Sequence, residues 1–360
     1  MSIKIEIPKA KDELTEFVQF HDRVYATRAA RWEAAPDSQL PILLGESPFS
    51  RQREMRPFIA RDGSDIVARA AALVDPRYIQ HWNEPLGHVV WFEALPDTRQ
   101  AVRQLMDAAC EWLAERGVLA ARTGFTFAAF DLPFAIDAYE TLPPSMLRQN
   151  PGSYHVLIKQ AGFEAEQGFV DYKVRVRPAL IERWESAVEG ARRSGFEIVP
   201  LKDLAPAQRI RDFSDTFNDT FKTHWGWTPF SEEEFAQMLD DLSGVGVLDT
   251  SVLAYQDGDP VGVLMVAADD LDHARLAPGR VLDDRERLNM LAIGVREQAR
   301  GRGVNYAMAG YGFLELARRG RTHLSYTLVL DHNWPSRRTG EGLGCELCAN
   351  YVAYRRNFRR

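Results

Sequence analysis

Cysteine is scarce in this chain, whose 360 residues include only Cys110, Cys345 and Cys348. Cys110 lies on the apolar face of a predicted helix, where a thiol packs as a small hydrophobic group. Cys345 and Cys348 have the spacing of half a zinc site, but no second pair of cysteines completes a four-ligand set. We therefore expect no metal site.

Long apolar runs are also missing. The sequence contains no stretch of about 18 apolar residues, the length that a helix needs to cross a bilayer. Its first residues, Met1–Glu6, alternate charged and apolar side chains and lack the hydrophobic stretch of a signal peptide. Together with the few cysteines, these absences predict a cytoplasmic protein without a membrane partner.

The chain has no excess of positive charge, since its formal net charge is −7 at pH 7. A nucleic-acid-binding surface needs clustered Lys and Arg, so we expect no nucleic-acid partner. The short basic end, Arg355–Arg360, is expected to be a solvated tail. With 45% hydrophobic and 26% charged residues the composition is that of a globular protein, and the length allows two domains.

The most informative stretch predicts a buried strand, a short basic turn and the start of a helix, from Leu288 to Val304. A helix that begins directly after such a turn has unpaired N–H groups at its first residues. With the helix dipole, Arg300 and Arg302, these N–H groups form a site suited to a phosphate or pyrophosphate. Gly301 and Gly303 have no Cβ atoms that would keep a ligand away from the backbone.

One order of predicted elements occurs twice along the chain: a β-hairpin, a strand, a helix, a strand, a short helix and a strand. We interpret this order as an internal duplication. It predicts a first domain over residues 1–177, a connecting helix over 178–194 and a second domain over 195–360.

The strand that follows the main helix is predicted at Thr126–Phe130 in the first copy and at Leu324–Leu330 in the second. Both segments are rich in β-branched, aromatic or aliphatic residues, as strands commonly are.

The pattern Gln298-x-x-Gly301-x-Gly303 resembles the acyl-CoA signature of the GNAT family of N-acetyltransferases. The later pair Asn333-x-x-Ser336 is similar to a second motif of that family. Over nearly its whole length the chain resembles tandem GNAT-like proteins. The resemblance implies an α+β fold with two tandem GNAT-like domains, each a mixed, mostly antiparallel sheet flanked by helices.

The resemblance also implies acetyl-CoA, or another acyl-CoA, as the co-substrate of the second domain. The acceptor would be an amine of a small molecule or peptide, and an oligomer is possible. The residues that the resemblance places at the acyl-CoA are Ile293, Gly294, Val295, Gln298, Ala299, Arg300, Gly301, Arg302, Gly303, Val304, Asn333 and Ser336.

Two positions depart from the family pattern. The corresponding turn of the first copy, Leu95–Gln100, has no glycine and carries the carboxylate of Asp97, so we expect this copy to have lost CoA binding. In the second copy Gly340 stands where many family members have a tyrosine acid. A simple thiol has a pKa near 8.5, so a thiolate can leave without that acid, although at a cost in rate.

An amine must lose a proton when it attacks a thioester, so the site needs a base or a water relay. Asp331, at the end of the strand next to the central one, is our candidate base. The alternative is an ordinary strand-end turn or a cap on the following helix. His332 can titrate near neutrality, but a solvated loop histidine is the simpler interpretation.

The aromatic segment Trp225-Gly226-Trp227 has two interpretations. Trp225 and Trp227 can line a pocket for the acceptor, or they can pack the neighbouring helices onto the sheet. The sequence does not favour one over the other.

We predict an acyl-CoA-dependent N-acyltransferase that works by direct attack of the amine in a ternary complex. One alternative is an aminoacyltransferase of the FemAB type, which also pairs two GNAT-like folds but uses aminoacyl-tRNA. The second is a protein that binds acyl-CoA without turnover.

Overall fold

The computed structural model describes residues 3–358 and contains fifteen strands and eleven α-helices in that range. We call residues 3–177 the first half and residues 178–358 the second half. The strands of the first half are β1 (Ile3–Glu6), β2 (Ala30–Trp32), β3 (Glu54–Asp62), β4 (Asp65–Val74), β5 (Leu86–Ala94), β6 (Ala120–Thr123), β7 (Phe134–Ala135) and β8 (Glu164–Arg175). Its helices are α1 (Lys11–Val24), α2 (Pro36–Leu43), α3 (Pro76–Trp82), α4 (Arg99–Ala114) and α5 (Ser153–Gln160).

The second half repeats this order with its own insertions. Its helices are α6 (Pro178–Arg193), α7 (Pro206–Phe221), α8 (Glu232–Asp241), α9 (Val247–Thr250), α10 (Val304–Arg318) and α11 (Trp334–Gly342). Its strands are β9 (Phe196–Pro200), β10 (Val252–Gln256), β11 (Asp259–Ala267), β12 (Ala274–Leu276), β13 (Met290–Val295), β14 (His323–Leu330) and β15 (Glu346–Asn357).

The prediction of a strand at Thr126–Phe130 is wrong. The strand at this place in the order is β6, and the predicted segment is a short 3₁₀ turn. Thr126 accepts a hydrogen bond on its side-chain oxygen from the N–H of Ala128 at 3.2 Å, and Phe130 has φ of 48°. The aromatic and β-branched composition suggested a strand, but the side chain of Thr126 caps a turn instead.

The two halves exchange their last strands. The nine-stranded sheet runs β1-β3-β4-β5-β6-β15-β8-β14, with the short β7 paired to β15, and a four-stranded sheet runs β13-β11-β10-β9. The C-terminal strand β15 is therefore inserted beside β6 of the first half, while β8 pairs with β14 of the second half. One half alone would leave each of these strands without one of its neighbours.

The cores follow the same exchange. Val170, Tyr172 and Val174 of β8 pack into the core built around α10 of the second half. Val352 and Tyr354 of β15 pack into the core around α4 of the first half. The helices α4 and α10 thus each pack against a core that includes one strand from the other half.

A buried ionic network joins the halves at a second place. Glu234, at the start of α8, pairs with Arg53 and Arg77 of the first half, and Arg53 also contacts Asp75 at 2.9 Å. Ser231 and Glu234 form a capping box at the start of α8, so Glu234 serves both the helix and the network. Removing one partner of such a buried set is costly, which favours a fixed arrangement of the halves. Within residues 3–358, no helix combines the length and apolar character that crossing a membrane requires.

Candidate functional site

The turn between β13 and α10, Arg296–Gly303, has an open backbone, and we call it the glycine turn. Gly301 and Gly303 have φ of 75° and 79°, a region that side-chain-bearing residues rarely adopt. No atom lies within 4 Å of the place where either glycine would carry a Cβ, so the space beside the backbone is free. Gly303 precedes the first turn of α10 and has no side chain to cap it. The first N–H groups of α10 are therefore available to an anion.

The arginines of the glycine turn are anchored on protein groups. Arg300 donates from Nε to the carbonyl oxygen of Val295 at 3.0 Å. Arg302 donates to Gln256 Oε1 at 2.8 Å and lies 4.5 Å from the centre of the Phe196 ring. Both side chains stay at the surface beside the turn, but Arg302 is held against the β9–β10 edge.

β13 lies beside β14, and the two parallel strands are hydrogen-bonded to each other only near their first residues. We call the gap between them beyond these hydrogen bonds the wedge. The side-chain amide of Asn289 exchanges two hydrogen bonds of 2.9 Å with the backbone of Ser325. The N–H of Leu291 donates to Thr327 Oγ1 at 3.1 Å. Past this point the two strands belong to different sheets, and no strand within residues 3–358 pairs with the facing edge of β13.

Peptide groups of Ile293 and Val295 face the wedge. The N–H of Leu291 points to β14, and groups two and four residues further along a strand point the same way. Gly294 has a different role, because a Cβ there would collide with Thr220 of α7. Gly294 therefore allows α7 to pack closely on the central strand.

Two further candidates near the turn are packing residues. Ala299 is 0% and Val304 is 1% exposed, so only their backbone groups can meet a ligand. Gln298 is exposed on the surface of the glycine turn.

α11 follows β14 after a short turn, and its first turn contacts β14. Asn333 caps this helix by accepting the N–H of Ser336 at 3.3 Å. Ser336 Oγ is 2.9 Å from the hydroxyl of Tyr326, a buried residue of β14. Burial raises the pKa of Tyr326 to about 12, so this hydroxyl keeps its proton at neutral pH.

Gly340 has no room for the tyrosine that many family members carry. A Cβ at this position would lie 3.2 Å from the ring of Tyr326 and 3.7 Å from that of Tyr172. The two tyrosines of the neighbouring strands occupy this space. Ser336 is among the residues that the resemblance placed at the acyl-CoA, and its partner Tyr326 is the hydroxyl that sequence reasoning missed.

Asp331 follows the last residue of β14 and lies beside Gly168 of β8, with about half of its side chain exposed. Its carboxylate accepts a hydrogen bond from Gln167 Nε2 at 2.9 Å and contacts His332 Nδ1 at 3.2 Å. Asn333, and not Asp331, provides the side-chain cap of α11. Asp331 is thus accessible to a bound molecule.

His224 is a titratable group near the same end of β14. Burial lowers the pKa of His224 to about 4, and the nearby His332 contributes a little to this shift. The hydrogen bond to the Trp225 carbonyl acts in the opposite direction but is outweighed. Its imidazole is therefore neutral at pH 7.

The structure separates the two tryptophans of the aromatic segment. Trp227 is 0% exposed and packs among Phe217, Phe221 and Phe230, which is the packing interpretation. Trp225 is partly exposed, and the guanidinium of Arg122 lies 4.0 Å from its ring centre. Only Trp225 presents surface that a ligand can reach in this conformation.

In the corresponding first-half gap, between β5 and β6, side chains of the protein bond the strand edges. Asp131 accepts hydrogen bonds from Trp91 N–H at 2.8 Å and Gly124 N–H at 3.1 Å, bridging the two strands where they diverge. Arg148 forms an ion pair with Asp131 and donates to the Phe92 carbonyl at 3.0 Å. These groups occupy the strand edge that remains open in the second half.

The end of β5 is closed in the same way. The hydroxyl of Tyr154 accepts the N–H of Ala94 at 2.8 Å. The turn that follows contains Asp97, which has φ of 61° without being glycine. A carboxylate therefore stands in the first half where the second half has open backbone.

Comparison with known proteins gives distant relatives. No protein-family model matches the chain. It is 23% identical over 222 residues to the bacterial ceramide synthase of Caulobacter vibrioides, covering 61% of this chain and 57% of that protein. It is also 23% identical over 261 residues to protein YghO of Escherichia coli, covering 71% and 65%. The chain thus spans less than two thirds of the length of each of these relatives.

Solved structures show the same fold. A tandem GNAT protein from the clavulanic acid biosynthesis pathway matches 99% of this chain and 98% of its own, with a TM-score of 0.59 and 12% identity. A GCN5-related N-acetyltransferase from Sphaerobacter thermophilus matches 99% and 96%, with a TM-score of 0.56 and 14% identity. The predicted α+β fold with two tandem GNAT-like units is confirmed.

Proposed function

Because the chain has the tandem GNAT fold, we propose that it is an acyl-CoA-dependent N-acyltransferase with its active site in the second half. The observation that carries the proposal is the open backbone of the glycine turn, which directly follows the unpaired edge of β13. The turn offers free helix N–H groups to a pyrophosphate, and the strand offers its unpaired edge to an amide-containing arm. Acetyl-CoA, or a longer acyl-CoA, has both parts.

The proposed reaction begins with attack of a neutral amine on the thioester carbonyl. The oxyanion that forms needs a preorganised donor, and the N–H of Ile293 or Val295 faces the gap where the carbonyl would lie. Asp331, directly or through water, accepts the proton that the amine loses. The C–N bond forms, the C–S bond breaks, and the CoA thiolate leaves.

The thiolate leaves without a tyrosine acid. A leaving group with a pKa near 8.5 can depart as an anion. The hydroxyl pair of Tyr326 and Ser336 can stabilise negative charge by hydrogen bonding while Tyr326 stays protonated. We therefore propose stabilisation by hydrogen bonds in place of proton donation.

The relatives are compatible with this class of reaction. By its name, the Caulobacter relative makes a ceramide, which is an N-acyl amide. We propose the same bond type for this chain, with a small-molecule or peptide amine as acceptor. The first half, proposed as a domain over residues 1–177, contributes β8 and the opposite wall rather than a second acyl-CoA site.

The test is release of free thiol from a panel of acyl-CoAs mixed with a panel of amines. We expect amine-dependent release with at least one pair and a product amide of matching mass. The matched control is the Gly303→Val protein, which should release none. Tight acyl-CoA binding without release would favour the non-catalytic alternative, and transfer from aminoacyl-tRNA would favour the FemAB-type one.

A further inference from the structure

A cavity of about 470 Å³ lies between the two halves, lined by none of the residues proposed for acyl-CoA. Its walls come from α1, α2 and β5 of the first half and from α8 and the segment after β11 of the second. Sites for small molecules commonly have volumes of about 300–1,000 Å³ and lie at junctions between domains. Both the size and the position therefore fit a ligand site.

The interior of the cavity is largely apolar. Trp91 lines it and has φ of 54°, a conformation that is uncommon for a bulky residue and is often found at functional sites. The main apolar lining residues are Trp32, Ile42, Phe49, Trp91, Met238 and Leu242. A hydrocarbon body is the chemistry that such walls accept.

The inner carboxylates of the cavity already have cationic partners. Glu93 lies 2.6 Å from His21 Nδ1 and 3.1 Å from Arg69, and its side chain is only 6% exposed. Burial acts to raise the pKa of Glu93, but these two neighbours outweigh it and lower that pKa to about 2. Asp131 is paired with Arg148. The deep end therefore has no charge left to attract an ionic ligand group.

The outer carboxylates differ. Asp37 and Asp241 are exposed lining residues, and neither forms a salt bridge within residues 3–358, although Asp241 accepts a hydrogen bond from Gln237 at 2.6 Å. Asp270, also at the lining, contacts only the ring of His273 at 3.6 Å. The opening is thus negative while the interior is apolar and internally neutralised.

We propose that this cavity binds an organic amine with an apolar chain. The chain lies inside, and the ammonium group stays at the opening beside Asp37 and Asp241. Exposed carboxylates attract a cation at that end and repel an anion. This site goes beyond the proposed acyl transfer, because its binding requires neither the glycine turn nor any reaction.

The test is calorimetric titration of the full chain with three matched probes, octylamine, octanol and octanoate, which share one chain and differ in head-group charge. We expect octylamine to bind, octanol to bind at least about tenfold more weakly, and octanoate to show no binding. Equal binding of octanoate and octylamine, or no binding of octylamine, would overturn the proposal.

Variants separate the two ends of the cavity. Asp37→Asn with Asp241→Asn should weaken octylamine at least about tenfold and leave octanol unchanged, while Asp240→Asn, next in sequence and outside the lining, should change neither. Val245→Trp should block both probes by filling the interior. Unchanged octylamine binding in a folded Val245→Trp protein would place the ligand elsewhere and contradict the assignment.

Acetyl-CoA titrations on the same variants keep this inference separate from the proposed function. We expect acetyl-CoA affinity to be unchanged by all of these substitutions. A protein that binds octylamine but no acyl-CoA would overturn only the proposed function, and the reverse would overturn only the cavity assignment.

Discussion

The first half joins β5 to α4 through Leu95–Thr98, whereas the second joins β13 to α10 through the longer Arg296–Gly303. Both connections link a central strand to the helix that packs on it. The short one contains Asp97 with a positive φ, and the long one contains two glycines with open space beside them. The two connections therefore differ in length, charge and the space beside the backbone.

The strand edges differ in the same sense. In the first half, Asp131, Arg148 and Tyr154 bond to the peptide groups of β5 where it diverges from β6. In the second half the edge beyond Leu291 faces an open wedge. Satisfying an edge internally stabilises a fold, and leaving it unpaired provides a binding edge. The two halves therefore differ both at the turn and at the strand edge, and we propose that acyl-CoA binding requires both.

The largest expected effect follows from Gly303→Val. A β-branched residue at φ of 79° is strained and places carbon in the path of a bound pyrophosphate. We expect acetyl-CoA affinity to fall by at least about a thousandfold, or about 4 kcal/mol, in a titration of the folded protein.

Gly320→Val is the matched control for that experiment. Gly320 follows α10 at its other end, has φ of 81° and also has no atom within 4 Å of a Cβ. Gly320→Val should lower the free energy of unfolding by about as much as Gly303→Val does, while leaving acetyl-CoA binding intact. Equal losses of binding in both variants would trace the effect to strain in α10 and not to the glycine turn.

The closed edge of the first half gives the next effect. Arg148→Met leaves Asp131 buried without its cation, which should lower the free energy of unfolding by about 3–5 kcal/mol. Chemical denaturation measures this change. Adding Asp131→Asn removes the unpaired charge and should recover a large part of the loss. A single variant as stable as the parent would mean that the pair does not hold the first-half gap closed.

A smaller effect is expected in catalysis. Asp331→Asn should lower turnover by about a hundredfold, the size expected for loss of a general base, with acetyl-CoA affinity nearly unchanged. The paired variant His332→Asn keeps the loop and removes the neighbouring imidazole. Thiol release measured for both would assign the base: normal turnover in Asp331→Asn would return Asp331 to a purely structural role.

The smallest effect concerns Asp97→Gly. Glycine relieves a positive φ and removes a like charge from the first-half turn, so unfolding free energy should change by less than about 1 kcal/mol. Acetyl-CoA stoichiometry should not change, because Arg148 and Tyr154 still occupy the strand edge. A gain of one bound acetyl-CoA would show that the turn alone decides binding.

Local patterns predicted the elements well. The connecting helix predicted over residues 178–194 is α6, and the β-hairpin predicted in each copy is formed by β3 and β4 in the first half and by β10 and β11 in the second. These features depend on residues close in sequence, which is why a single sequence was enough to predict them.

Long-range features could not be predicted in the same way. The exchange of β8 and β15 depends on which sheet edge each strand meets, and alternating residues of a strand do not encode that choice. The role of Gly294 likewise depends on Thr220, far away in sequence. The cavity between the halves arises only from the packing of α1 and α2 near α8.

The stoichiometry of acetyl-CoA binding tests the central claim most directly. Calorimetric titration of the intact chain should give a value near one per chain. Arg300→Glu, which places a carboxylate beside the glycine turn, should abolish that binding, whereas Arg99→Glu at the first-half turn should leave it intact. A stoichiometry of two, or binding that survives Arg300→Glu but not Arg99→Glu, would contradict the assignment of acyl-CoA to the second half.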